Sequence, residues 1–137
     1  MNFIKNSLLL FLLSLTLFAA TLALEEVLAM YQDDTLRAHP EAIEQLIKKA
    51  QSNSDAAYLL ATFYLEGSLG DKDLAQAYKW YLKAANEGDG DAMLSLGWLY
   101  YKGEYFGGSN PKEAKHWFYK AAQEGIEEAN VMLDILN

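Results

Sequence analysis

The sequence predicts an all-α chain, an α/α solenoid of stacked antiparallel helix pairs, and three observations carry that prediction. A block written DAAYLLATFYLEG at Asp55 to Gly67 returns as DAMLSLGWLYYKG at Asp91 to Gly103. Each copy is followed by a second shared block, KWYLKAANEG ending at Gly88 and HWFYKAAQEG ending at Gly125. The spacing holds residue by residue. Asp55, Ala56, Leu60, Tyr64 and Gly67 recur at an offset of 36, and Ala77, Trp80, Lys83, Ala84, Ala85, Glu87 and Gly88 recur at 37, so one residue enters in the second loop. A period in the thirties is the pattern of helix pairs that bury their apolar faces only against neighbouring pairs.

The elements follow in chain order. Met1 to Lys5 carries one positive charge, Leu8 to Phe18 is almost wholly apolar, and small residues follow at Ala19, Ala20, Thr21 and Ala23, which reads as a secretory signal peptide over residues 1–23 cleaved after Ala23. An uncleaved anchor is the alternative, because the apolar run extended to Leu24 reaches about 17 residues, the lower edge of a membrane span. No cysteine follows the run, which excludes a lipoprotein anchor.

Residues 25–31 form a short first helix and 33–39 a polar linker. Pro40 opens a helix over 40–51, where a fixed φ helps and a missing N–H costs nothing, with Ala42, Ile43, Leu46, Ile47 and Ala50 on one face. Residues 40–54 are a degenerate half-repeat, 55–90 and 91–127 the two full repeats, and 128–137 a truncated third. The first helices span 55–66 and 91–102, each with an aspartate at the positive end of its dipole. The second span 73–87 and 110–124, with capping-box pairs Asp73/Gln76 and Asn110/Glu113 at their starts. Gly88 and Gly125 fall where a helix closes in a left-handed residue, and Asn53 takes that place in the half-repeat. A closing helix spans 127–136.

Composition narrows the function. All 19 acidic residues lie after residue 23, against ten basic ones, giving this part a net charge of −9. That disfavours nucleic-acid binding, which needs clustered Lys or Arg. There is no cysteine, which removes thiol catalysis, thiolate metal sites and disulfides. His39 precedes Pro40 and His116 replaces the exposed Lys79, and neither has a serine or carboxylate at a diagnostic spacing. Asp89-Gly90-Asp91 lacks the distal glutamate of an EF-hand and reads as helix capping. The expectation is a protein that is not an enzyme, with no cofactor and no metal.

The repeated residues Ala92, Leu96, Gly97, Tyr100, Gly103, Ala114, Trp117, Phe118, Lys120, Ala121, Ala122 and Gly125 resemble the Sel-one-like repeat, a relative of the tetratricopeptide repeat. The first copy matches with Ala61 in place of the glycine. The resemblance implies a solenoid whose first helices face a concave surface, and an adaptor role in binding other proteins. Cysteine-rich exported relatives are linked to β-lactam binding or hydrolysis, and a cell-wall or β-lactam-directed hydrolase is the alternative function, although this chain lacks their cysteines.

Candidate contact residues are those that differ between copies on the first helices: Ala57 against Met93, Leu59 against Ser95, Thr62 against Trp98, Leu65 against Tyr101. Where the family usually has a polar residue, this chain has Trp98. Trp98, Tyr101, Met93 and Tyr105 form the expected partner-binding patch, with Thr62 and Leu65 at the matching positions, since Trp, Tyr and Met anchor interfaces. The alternative is that Trp98 packs on a neighbouring helix such as the C-terminal one. Phe106 is expected to tuck its loop into the core, and Tyr105 to be free of that duty. Apolar Val131, Leu133, Ile135 and Leu136 suggest a homodimer through the C-terminal end. The functional expectation is an exported, periplasmic or secreted, binder of a protein partner, in a narrower form an inhibitor or immunity-type protein, with no membrane contact after cleavage.

Overall fold

A computed structural model describes residues 24–136, and every regular element among them is helical. The expected signal peptide falls on residues 1–23, outside that range. Seven α-helices follow one another: α1 (Leu24–Gln32), α2 (Pro40–Ala50), α3 (Ser54–Glu66), α4 (Leu74–Asn86), α5 (Gly90–Lys102), α6 (Pro111–Gln123) and α7 (Glu127–Ile135), with one 3-10 turn at Leu36–Ala38. None of the described helices is long and apolar enough to cross a membrane. The chain divides into two units, residues 1–46 and 47–137.

In the first unit α1 packs beside the 3-10 turn. The segment 33–39 is more than a polar linker, because Leu36 is buried within it. Its entry is fixed locally: Thr35 donates its N–H to the Met30 carbonyl at 2.9 Å and bonds the Asp33 carboxylate through its hydroxyl at 2.6 Å. Pro40 takes the first position of α2, as the sequence predicts.

In the second unit α3 packs on α4, α4 on α5, α5 on α6 and α6 on α7, the arrangement that short connections between successive helices impose. Alanines let the helices close up. Ala56, Ala61, Ala77, Ala84, Ala114 and Ala121 have no exposed surface, while Tyr81, Phe63 and Phe118 fill the volume between helices. Gly97 has the same purpose: a Cβ built there would lie 2.5 Å from the Phe118 ring.

The helix starts show how the sequence sets its own boundaries. Asp73 accepts from the Gln76 N–H at 2.9 Å and Asn110 from the Glu113 N–H at 3.2 Å. The capping boxes are nonetheless half-formed, which corrects the sequence reading. The backbone N–H of Asp73 goes to the Tyr64 carbonyl at 2.9 Å and that of Asn110 to the Tyr100 carbonyl at 2.8 Å, tying each second helix to the end of the first.

Asn53 is a second correction. It is extended, with φ −141°, and its side chain accepts from the Ala56 N–H at 2.8 Å, so it caps the start of α3. Its counterpart is Asp89, which accepts from Ala92 N–H at 2.8 Å, and not Gly88. Gly88 and Gly125 do adopt positive φ, +96° and +87°.

Candidate functional site

Residues from both repeats meet in one groove. Leu65 and Glu66 end α3, Lys72 lies in the loop after it, Ser95, Trp98, Leu99 and Lys102 come from α5, and Glu104 from the loop beyond; together they enclose about 480 Å³. Ser95, Trp98 and Lys102 stand three and four residues apart, so helical spacing places them on one face. The floor is apolar through Leu65, Leu99 and Trp98, and the rim carries two lysines and two glutamates.

Trp98 is held from several sides. Its indole N–H donates to Glu128 Oε1 at 3.0 Å, reaching the C-terminal helix. Its ring stands edge-on to Phe118 and to Tyr101, with centroids 5.7 and 5.6 Å apart. The Lys102 ammonium lies 5.7 Å from its centroid, within cation–π range. The packing alternative therefore describes part of this side chain, which is half-buried and still lines the groove.

The other sequence-predicted residues separate. Leu65 lines the groove with Trp98, and Tyr101 touches it through the Trp98 ring. Met93 is only 5% exposed and belongs to the core, so it does not contribute to a contact surface. It faces inward because it stands at the place of Ala57, which is fully buried. Thr62 turns to its own repeat: its hydroxyl bonds the Tyr58 carbonyl at 3.1 Å and the Tyr81 hydroxyl at 3.0 Å.

Tyr105 and Phe106 form a second cluster. Tyr105 stacks on Tyr78 at 5.3 Å, and Phe106 lies flat on Tyr100 at 4.2 Å, an interplanar angle of 4°. Phe106 remains 39% exposed and Tyr105 38%. The expected division of labour between them is thus corrected: both pin the loop to a tyrosine and neither enters the core. The Tyr78 and Tyr100 hydroxyls meet beneath them at 3.1 Å.

Tyr81 and Tyr100 are poor proton donors. Burial pushes Tyr81 up to about 12, and burial together with the Tyr78 hydroxyl holds Tyr100 well above the ordinary range. Ser95 donates its hydroxyl to the Asp91 carbonyl at 2.9 Å, and the groove lining contains no histidine that could activate it. Among the described residues no group of three or more His, Cys, Asp or Glu is placed to hold a metal ion. The arrangement offers apolar contact bordered by charge, which suits binding.

Sequence reasoning set Ser95 against Leu59 without bringing it into the expected patch, and missed Glu66, Lys72, Leu99, Lys102 and Glu104. Ser95 differs from Leu59 in the first copy, and Lys102 stands one turn beyond Trp98, so both carried a signal. Glu66 stands at the place of Lys102, a difference between the copies on the first helices, whereas Lys72 and Glu104 carried no signal, because a loop's approach to a helix of the next repeat leaves no local pattern.

Residues 54–89 and 90–126 each match the Sel1 repeat, together just over half of the chain. The fold is similar to the crystal structure of a Sel1 repeat protein from Oxalobacter formigenes, with a TM-score of 0.65 and 27% sequence identity over 78% of this chain. The match spans 44% of that protein, so the chain corresponds to less than half of its length. No curated protein matches the sequence. With its two matched repeats and their stacked helix pairs, the chain belongs to the Sel1 repeat family, whose helical scaffolds generally bind other proteins.

Proposed function

We propose that this chain is an exported, non-catalytic binding protein that holds a protein partner in the groove between Leu65 and Trp98. The observation that carries the reading is the groove itself, an apolar floor of Leu65, Leu99 and Trp98 set between two repeats and bordered by Glu66, Lys72, Lys102 and Glu104. Apolar anchors surrounded by polar groups are the usual makeup of a binding hot spot. A partner segment that inserts one apolar side chain and lays charges of both signs along the rim fits this lining. Export rests on the sequence of residues 1–23, with its basic start, apolar run and small residues before Leu24. An inhibitor that occludes an enzyme of the cell envelope is the narrower form of the same reading.

The test is capture from envelope extract by the tagged protein, beside Leu65→Ser and Lys102→Ala variants whose melting is unchanged. Leu65 is preferred to Trp98 because Trp98→Ala would also remove the contacts to Phe118 and Glu128. One protein retained by the native bait and lost by both variants supports the groove. Equal retention by all three overturns it.

A further inference from the structure

In both complete repeats the first helix presents the Thr62/Trp98 position to its second helix. In the first repeat Tyr58 and Thr62 meet Tyr81, with Tyr58 and Tyr81 rings 5.6 Å apart and the Thr62 and Tyr81 hydroxyls 3.0 Å apart. In the second repeat Trp98, at the place of Thr62, meets Phe118, at the place of Tyr81. An offset of 37, which sets Ala92 on Ala129 and Leu96 on Leu133, carries Leu94 and Trp98, the counterparts of Tyr58 and Thr62, onto Val131 and Ile135 of α7. There no described helix covers them, and they are 57% and 63% exposed.

The neighbouring register differs in kind. Ala57 and Ala61, and Met93 and Gly97, are buried beside the covering helix, whereas the equivalent residues of α7 are the exposed Asn130 and Asp134. Gly97 shows how little room a ring leaves at that position, since an added Cβ would lie 2.5 Å from Phe118. A covering helix built like α4 or α6 would press its aromatic ring onto the Asp134 carboxylate. A second copy of this chain is therefore a poor occupant, and its net charge of −8 opposes self-association further. The charge points elsewhere: Glu124, Glu127, Glu128 and Asp134 lie along this end, and Lys120 is the last basic residue of the sequence.

We propose that the Val131/Ile135 stripe of α7 docks a basic amphipathic helix of a partner protein, lying where the second helix lies in each complete repeat and setting a lysine or arginine against Asp134. Apolar anchors one turn apart are how a helix face is read in helix-to-helix recognition. A cation opposite Asp134 replaces the water that the docked helix removes, and a carboxylate covered without one is strongly unfavourable. This surface is distinct from the Leu65 groove, and the two readings fail separately.

The probe is a fluorescent helical peptide with leucine and alanine on one face and lysines along its flanks, titrated by anisotropy into the purified protein. A twin peptide carries glutamate in place of lysine. Binding of the lysine peptide, at least about tenfold tighter than the glutamate twin, is expected. It should weaken with added salt, and fall at least about tenfold in Val131→Ser/Ile135→Ser and in Asp134→Lys, while Leu65→Ser leaves it unchanged. Unchanged melting of the variants shows that the fold is intact. No binding of the lysine peptide, equal binding of both peptides, or binding indifferent to the α7 variants overturns the proposal. So does a dimer in sedimentation that Val131→Ser/Ile135→Ser abolishes, because the stripe would then belong to a second copy.

Discussion

Trp98 stands edge-on to Phe118, with centroids 5.7 Å apart, in the place where Thr62 hydrogen-bonds Tyr81 one repeat earlier. The two pairs are alternatives for one position. A tyrosine brings a hydroxyl that needs a partner when buried, and Thr62 supplies it; a phenylalanine brings none, and a second aromatic ring fills the space. The swap of threonine for tryptophan between the copies is therefore matched by the swap of tyrosine for phenylalanine.

That pairing predicts coupling. Placing the first-repeat pair in the second, as Trp98→Thr with Phe118→Tyr, should destabilise the protein less than the two single changes summed. The expected coupling is about 0.5–1.5 kcal/mol. Urea denaturation of the four proteins in the cycle measures it, and strict additivity would show that the pairs are unrelated.

Gly97 depends on the same ring. Gly97→Ala should cost about 1–3 kcal/mol, since the new methyl meets Phe118 at 2.5 Å and a packed core resists the shift. Combined with Phe118→Leu, the alanine should cost less than it does alone. Thermal melts of the single and double variants check this.

Gly103 ends α5 with φ +70°, and an added Cβ would lie 2.1 Å from the Gly108 carbonyl carbon. Left-handed backbone costs an L-residue about 1–2 kcal/mol, and the clash adds to it. Gly103→Ala is expected to lower stability by more than about 2 kcal/mol. Gly107→Ala, with φ +73° and open space around it, should cost clearly less. Similar melting temperatures for the two variants would contradict the close approach of the 103–110 loop.

Asp89 gives a pH prediction. Burial, more than the nearby Asp91 and Asp55, raises its folded pKa above the ordinary 3.8, against the lowering effect of its bond from the Ala92 N–H. A carboxyl whose folded pKa is raised binds its proton more firmly in the native state. Its contribution to stability is then fully present below the unfolded value, and is lost as pH rises through the folded one. Asn53 at the equivalent place shows that an amide caps as well. Asp89→Asn should thus be neutral or stabilising at pH 7 and lose that advantage in acid, whereas Asp89→Ala should cost about 1 kcal/mol at both. Denaturation at pH 7 and pH 3.5 separates the two; an Asn variant less stable than the parent at pH 7 would sink the argument.

The fold was legible because its determinants are local. The offset between Trp80 and Trp117, the aspartate and asparagine caps at 73 and 110, and the glycines at 88 and 125 are short-range features, and each stands where the sequence places it. Asn53 was misread by one residue for a local reason too, because asparagine suits both a left-handed close and a helix start, and only the backbone shows which is used. For the candidate site, difference between copies singled out Leu65 and Trp98 but also Met93. A difference tells that a position tolerates change without telling which way the side chain faces.

The sequence by itself determined the helix pairs, their period and their ends, because periodicity and capping depend on residues within a few positions of each other along the chain. Only the tertiary structure decided that Met93 is core, that Thr62 serves Tyr81, that Trp98 reaches Glu128, and that Leu65 meets Trp98 across a groove. Those relations join residues from different helices, and they depend on how the helices pack, which is set by the shape of Phe118 against Gly97 and by every other contact at once.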